Sequence, residues 1–124
     1  MASLEEAIRL IGMKNSDLKK LRDRDSWCWH CGTESGLVPH HRANRGAGGS
    51  KALDTLQNVI MVCAEVNQAM ESDAAVANWA RDLGLKLSRY ASPTAPVFDN
   101  WAKKWYLLDE KGNKFETEPP TYLI

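Results

Sequence analysis

Apolar residues recur at helical spacing close to the start of the chain, at Leu4, Ala7, Ile8 and Ile11. Ser3 precedes this stripe and can cap a helix, so the pattern predicts an amphipathic helix over residues 4–12. A thinner stripe at Leu18 and Leu21 follows a second N-cap signal and stops near Asp25. We therefore expect two short helices before the middle of the chain.

The pattern becomes extended in the middle of the chain. Residues 37–41 are typical of a short strand, which Pro39 restricts to a sheet edge because proline has no backbone N–H. Residues 59–62 are continuously apolar, as in a buried strand, and a glycine-rich loop joins the two segments. From Cys63 to Glu71 the spacing turns helical. The predicted local order is strand, loop, strand, helix.

A further helix and a group of short strands are predicted beyond this segment. Ser72 and Asp73 can cap the helix and Gly84 suits its C-terminal end, while one side is apolar at Val76, Trp79, Ala80 and Leu83. Short apolar runs with a turn at 109–112 then predict a C-terminal β-meander, at residues 97–98, 104–108 and 114–115.

These elements predict an α+β fold in one domain over residues 1–124, since a chain of this length supports one small core. Within it we expect N-terminal helices in 1–26, a core with its following helix in 27–84, and a β extension in 85–124. No apolar run approaches the ~20 residues that span a bilayer, and the first residues do not resemble a signal peptide. A cytoplasmic protein without a membrane partner is therefore expected.

The net charge is zero, so the whole chain carries no electrostatic signature of nucleic-acid binding. The loop after residue 41 is nevertheless locally cationic, because Arg42, Arg45 and Lys51 are accompanied there by few acidic residues. These three side chains are candidate contacts to DNA phosphates. A solvated surface loop is the alternative.

The three cysteines cannot form a closed set of disulfides, and Cys28 and Cys31 form a C-x-x-C pair. In a reducing compartment this spacing indicates metal or redox chemistry. Redox chemistry is less favoured, because no βαβ unit is visible around the pair.

Residues suited to phosphodiester hydrolysis lie between these cysteines and Glu71. His41 is a candidate general base, because imidazole titrates near neutral pH. His40 points to the opposite face of the strand and can address a metal ion. Asn67 and Glu71 are four residues apart on the predicted helix, so with His40 they can supply ligands to Mg²⁺ or Mn²⁺. Asn58 either accepts from the base imidazole or braces the loop carbonyls.

The motifs Cys28-x-x-Cys31, His40-His41, Asn58 and Cys63-x-x-x-Asn67 resemble those of the HNH endonucleases. More narrowly, the chain is similar to small stand-alone HNH proteins of tailed bacteriophages, over roughly residues 27–112. The resemblance implies a ββα-metal core with a zinc-knuckle-like C-x-x-C. It also implies metal-dependent cleavage of DNA.

The resemblance also implies a role for each matching residue. His41 falls on the general base, His40 on a metal ligand, Asn58 on the motif asparagine and Asn67 on the last metal ligand, which makes an H-N-N variant. Glu71 matches a further ligand found in some bacterial toxin nucleases of the wider group.

The sequence departs from the family at Val66, where many relatives carry a fourth zinc-binding cysteine. Structural zinc sites are nearly always four-coordinate. Two alternatives therefore stay open for Cys28, Cys31 and Cys63: they bind a structural zinc ion, or they are small apolar thiols that pack.

The resemblance implies a phage-encoded endonuclease that nicks or cuts double-stranded DNA in the host cytoplasm. One alternative is a catalytically degenerate HNH module that binds DNA or a phage packaging protein such as terminase. The missing zinc ligand and the zero net charge favour that alternative, and the intact set of His41, Asn58 and Asn67 disfavours it. A junction-resolving endonuclease acting on branched DNA is a third possibility.

Overall fold

The computed structural model describes residues 13–44, 53–88 and 91–120, so the helix predicted over 4–12 lies outside the described residues. Within these ranges the chain is a mixture of helices and two small antiparallel sheets, and the expected α+β class is confirmed. The elements in chain order are α1 (Asn15–Arg24), β1 (Leu37–His41), β2 (Val59–Cys63), α2 (Ala64–Ser72), α3 (Ala74–Asp82), β3 (Val97–Asp99), β4 (Lys104–Leu108) and β5 (Lys114–Thr117). No helix in these ranges is long and apolar enough to cross a membrane.

Strands β1 and β2 form an antiparallel hairpin in which Pro39 pairs with Met61 and His40 pairs with Ile60. All five residues of β2 are buried, as its apolar run predicts, because both of its faces are covered. One face belongs to the main core with Met70, Ala80 and Leu85. The other face packs on a smaller cluster that includes two leucines of α1. The hairpin is therefore the layer between two hydrophobic clusters.

The end of α1 is fastened to the open edge of β2 by an ion pair. Arg24 binds Asp25 through two hydrogen bonds of 2.7 and 2.9 Å. Asp25 also accepts from the backbone N–H of Met61 at 3.0 Å, and Arg24 donates to the carbonyl of Val59 at 2.8 Å. These contacts satisfy backbone groups that β1 cannot reach from the other side of β2.

Helix α3 has the cap and the stop that its sequence predicts. Asp73 accepts hydrogen bonds from the N–H groups of Ala75 and Val76. Gly84 follows with φ of +72°, in the left-handed region that favours glycine. A Cβ at this position would lie 2.2 Å from the carbonyl oxygen of Pro96, so glycine also permits the close approach of the segment before β3.

The last three strands form an antiparallel sheet in the order β3, β4, β5. Its inner face contributes Leu108 and Tyr106 to the main core, and Tyr106 meets Trp29 edge-on at a ring-centroid distance of 5.8 Å. Its outer face is apolar and more open, with Phe115 55% exposed. The sheet thus covers the main core beside the segment that precedes β1.

Candidate functional site

His41 is the last residue of β1, and its ring is held by an acidic partner. The imidazole Nε2 lies 2.8 Å from Oδ1 of Asp54, and both side chains are largely buried. Nε2 therefore donates to the carboxylate, because the carboxylate oxygen accepts. This bond leaves Nδ1 of His41 as the ring nitrogen that can accept a proton.

Asn58 lies immediately before β2 and is fully buried. Its side-chain oxygen accepts from the N–H of Ala43 at 2.8 Å, and its amide nitrogen donates to the carbonyls of Ala43 and Leu53, each at 3.0 Å. Of the two roles left open by the sequence, bracing the loop is the one observed. Asn58 joins residues on both sides of the glycine-rich loop and so fixes where that loop leaves and re-enters the fold.

His40 faces the other side of β1 and is only 6% exposed. Its Nε2 lies 2.8 Å from the carbonyl oxygen of Leu85, so Nε2 carries the proton and Nδ1 keeps its lone pair. Burial lowers the pKa of His40 to about 4, although the bond to Leu85 acts in the opposite direction. A neutral imidazole whose second nitrogen donates to a backbone carbonyl is the arrangement usual for a metal-ligating histidine.

A cleft of about 230 Å³ brings together the catalytic candidates from β1 and α2. His40, His41, Asn67 and Glu71 all line it. Asn67 and Glu71 reach the cleft from one face of α2, as their four-residue spacing predicts. One imidazole nitrogen and two side-chain oxygens form a donor set that suits a hard divalent cation.

Lys86 also lines this cleft, and sequence reasoning missed it. Its ammonium lies 3.5 Å from Oε1 of Glu71 and 3.3 Å from the carbonyl oxygen of Met70. The lysine follows Gly84 by two residues in a segment without periodicity, and nothing in the local sequence marks it. Asp54 also lies outside any helix or strand, and nothing in the local sequence marks it either.

Arg42 departs from the role that the sequence suggested. The expected phosphate contact is wrong for this residue, because its side chain is fully buried and directed into the protein. Its guanidinium donates to five backbone carbonyls, those of Gln57, Gly84, Pro93, Ala95 and Pro96. Arg42 therefore joins three segments of the chain. The other two predicted phosphate contacts, Arg45 and Lys51, lie outside the described residues.

A cluster of three cysteines lies at the opposite end of the hairpin. The sulfur atoms of Cys28, Cys31 and Cys63 all lie within 4.8 Å of one another, so the three residues are close enough to hold a metal ion. Among the described residues this is the one set of three or more His, Cys, Asp or Glu side chains with that property. The Cys31 and Cys63 sulfurs are 3.9 Å apart, which fits two ligands of a tetrahedral ion with Zn–S bonds of about 2.3 Å.

The surroundings of the cysteines favour thiolates at some positions and oppose them at others. Cys28 accepts from the backbone N–H groups of His30 and Cys63 at 3.3 and 3.2 Å. At Cys31 burial acts to raise the pKa, but hydrogen bonds from Thr33 and from the neighbouring thiols lower it overall. At Cys63 burial and the neighbouring thiols raise the pKa to about 11. Three thiolates this close need a cation between them, and a metal ion would supply it.

Neither Val66 nor His30 supplies a fourth ligand to this cysteine cluster. Val66 packs against the main core at the first turn of α2. His30 turns its ring edge-on to Trp79, with a centroid distance of 4.8 Å, and does not join the cysteine cluster. A cavity of about 370 Å³ lies over Cys31 and Cys63 and is also lined by Glu65. That cavity leaves room for water or a carboxylate as a fourth ligand.

No protein-family model matches the sequence, and searches of curated proteins and of solved structures find no similar protein.

Proposed function

We propose that the protein is a metal-dependent endonuclease that hydrolyses DNA phosphodiester bonds. The observation that carries the proposal is the convergence of a base candidate, His41, with a nitrogen and oxygen donor set in one cleft. Binding alone would not require a buried neutral imidazole at His40, a pair between the His41 imidazole and a carboxylate, and an asparagine at position 58 that braces the loop. The phage origin and a packaging partner such as terminase depend on the resemblance alone.

In this proposal His41 accepts a proton from water through Nδ1, because Nε2 is engaged by Asp54. His40, Asn67 and Glu71 hold a divalent ion such as Mg²⁺ or Mn²⁺. When bound, that ion stabilises the charge that develops on the phosphate oxygens. Lys86 adds a second positive charge at the same cleft and is the candidate contact to the phosphate.

The test is nicking of supercoiled plasmid by purified protein with Mg²⁺ or Mn²⁺, compared with the same protein in chelator. We expect His41→Ala to lose roughly 10²–10⁴-fold in rate, the range typical of a general base. Asn67→Ala should also lose activity, whereas Asn78→Ala should not, because Asn78 is exposed on α3 and contacts only Arg81 in the hydrogen bonds observed. Metal-independent cutting, or full activity of His41→Ala, would disprove the proposal.

We further propose that the metal held by Cys28, Cys31 and Cys63 is a structural zinc ion. The support is the donor chemistry, since three thiolates within tetrahedral reach prefer zinc to a hard ion. Elemental analysis of the purified protein should give one zinc per chain, and Cys31→Ser should reduce it.

A four-way-junction substrate cut faster than plain duplex would move the assignment to the junction-resolving alternative.

A further inference from the structure

We infer that Asp54 is a positioning residue for the reaction: it fixes the tautomer and the orientation of the His41 imidazole so that Nδ1 faces the reacting water. This inference depends on the proposed nuclease function for its activity readout. It adds a residue outside the motif positions that the sequence resemblance supplies.

The contact between the two side chains is short and shielded from solvent. Nε2 of His41 and Oδ1 of Asp54 are 2.8 Å apart, with side-chain exposures of 14% and 6%. A charge-assisted hydrogen bond of this length is stronger than a neutral one, and low exposure strengthens it further. The ring of His41 is therefore held in one orientation, while part of it still lines the cleft.

The chemistry of the two partners determines which nitrogen is free. A carboxylate can only accept at this contact, so the neutral imidazole must carry its hydrogen on Nε2. The lone pair is then on Nδ1. Without Asp54 both tautomers are accessible, and only a fraction of molecules would present a basic nitrogen at Nδ1.

The surrounding backbone holds Asp54 in place. The carbonyl of Leu53 accepts from the side chain of Asn58 at 3.0 Å. The carbonyl of Thr55 accepts from the backbone N–H groups of Asn58 and Val59, each at 3.0 Å. Both neighbours of Asp54 are thus fixed to the residue that precedes β2. The motif asparagine consequently aligns the aspartate as well as the loop.

A purely structural role for Asp54 predicts a different result from a positioning role. If the aspartate only anchored its loop, its replacement would lower stability and leave the tautomer of His41 unchanged. If it positions the base, the replacement changes the tautomer and the rate of the chemical step. Asp54→Asn separates the two roles. Its side chain has the same size as the aspartate, but its amide can also donate a hydrogen bond to Nε2 and so permits the other tautomer.

The first measurement is the ring-nitrogen NMR spectrum of His41 in the full-length protein under mildly alkaline conditions, where imidazoles are neutral. We expect the wild-type ring to be the Nε2–H tautomer and Asp54→Asn to shift it towards Nδ1–H. The matched control is Asp82→Asn, which changes an exposed carboxylate on α3 and should leave the spectrum unchanged. A wild-type ring protonated on Nδ1, or a tautomer unaffected by Asp54→Asn, overturns the inference.

The second measurement is the rate of plasmid nicking. We expect Asp54→Asn to lower kcat by roughly 10²–10⁴-fold, as expected when a base is held in the wrong tautomer, with KM for DNA changed less than about twofold. Asp54→Glu should recover part of the rate because it restores the carboxylate. If Asp54→Asn is folded and cuts at the wild-type rate, this inference fails and the nuclease proposal stands. If the wild type does not cut, the nuclease proposal fails, and the NMR measurement still decides the role of Asp54.

Discussion

The two adjacent histidines differ because their surroundings differ. His40 is buried against a backbone carbonyl, and burial lowers its pKa to about 4. Above that pH its imidazole is neutral and keeps a lone pair on Nδ1. His41, one residue further along β1, faces a carboxylate and lies partly open to the cleft. A strand places neighbours on opposite faces, and in the proposed reaction one imidazole would bind the metal ion and the other would accept the proton.

The stability of the metal-free protein should fall as the pH is lowered from about 6.5 towards 4. His40 stays neutral in the folded protein over this window, whereas the unfolded chain binds a proton at its ordinary pKa of 6.5. The unfolded state then binds more protons, so the free energy of unfolding decreases by about 1.4 kcal/mol per pH unit. Urea unfolding in the presence of a chelator measures this.

The matched variant is His40→Gln, which should reduce the dependence of the unfolding free energy on pH. His30→Gln should reduce it too, because burial also lowers the pKa of His30. An unchanged slope in His40→Gln would show that the folded protein does not hold this imidazole neutral.

Lys86→Met should weaken DNA binding in a salt-dependent way. Two basic side chains line the cleft among the described residues, Arg42 and Lys86. The guanidinium of Arg42 is bonded to backbone carbonyls, so we expect the ammonium of Lys86 to contact the phosphate. The plot of log K for DNA binding against log salt concentration has a negative slope, and loss of one phosphate contact should make it less steep by about 0.9. The control is Lys104→Met, an exposed lysine on β4 that pairs with Glu116, and it should leave the slope unchanged. Equal slopes for wild type and Lys86→Met would remove Lys86 from the interface.

At the scale of elements, the sequence was most informative where the structure depends on neighbouring residues. The apolar run of β2, the proline in β1, the Asp73 cap and Gly84 after α3 are local signals, and each corresponds to an observed feature. Local signals suffice there because caps, turns and strand burial follow from residues within one or two turns.

The parts of the site that sequence patterns did not predict depend on contacts between distant segments. Arg42 resembled a surface cation of a loop, and its burial follows from carbonyls about fifty residues away. Lys86 lines the cleft because the segment after α3 places it there, and the hydrogen bonds of Asn58 hold the loop in which Asp54 meets His41. Neither the periodicity nor the spacing of residues indicates such contacts. The prediction that Arg42 contacts phosphate was therefore made from residue type alone, and it placed a buried side chain at the surface.

Arg42→Met should destabilise the fold. The variant would leave five carbonyls without the guanidinium that joins the end of β1 to Gly84 and to residues 93–96; one of these hydrogen bonds is buried and four are part-buried. Since each unsatisfied buried group costs about 1–3 kcal/mol, we expect a loss of roughly 3 kcal/mol or more. Urea unfolding measures the loss, with the exposed Arg22→Met on α1 as the control. A change within about 0.5 kcal/mol would mean that water replaces the lost donors.

At the scale of the molecule, the cysteine cluster joins the segment before β1 to the end of β2. Cys28 and Cys31 precede β1, whereas Cys63 ends β2, 35 residues beyond Cys28. Two small hydrophobic clusters lie on either side of the hairpin. A chain of this size buries limited apolar area, so a metal cross-link at this point would contribute a substantial part of its stability.

Zinc should therefore raise the melting temperature of the wild-type protein, and Cys31→Ser should remove the effect. At free zinc 100-fold above Kd the expected stabilisation is about 2.7 kcal/mol. That corresponds to roughly 10 °C at about 4 °C per kcal/mol. Cys31 is the informative position because its side chain is exposed, so serine removes a ligand with little loss of packing. Without zinc, the wild type and Cys31→Ser should melt at similar temperatures.

Val66→Cys tests whether the site lacks a fourth thiolate. Val66 lies three residues after Cys63, so a cysteine there would complete a second C-x-x-C at the start of α2. A fourth thiolate would replace water or another weaker ligand, and zinc affinity measured by competition with a chelator should increase. The variant also gives up packing of Val66 against the main core, so without zinc it should melt below the wild type. If zinc affinity stays unchanged in Val66→Cys and zinc does not alter the melting of the wild type, the three cysteines pack as thiols and do not form a metal site.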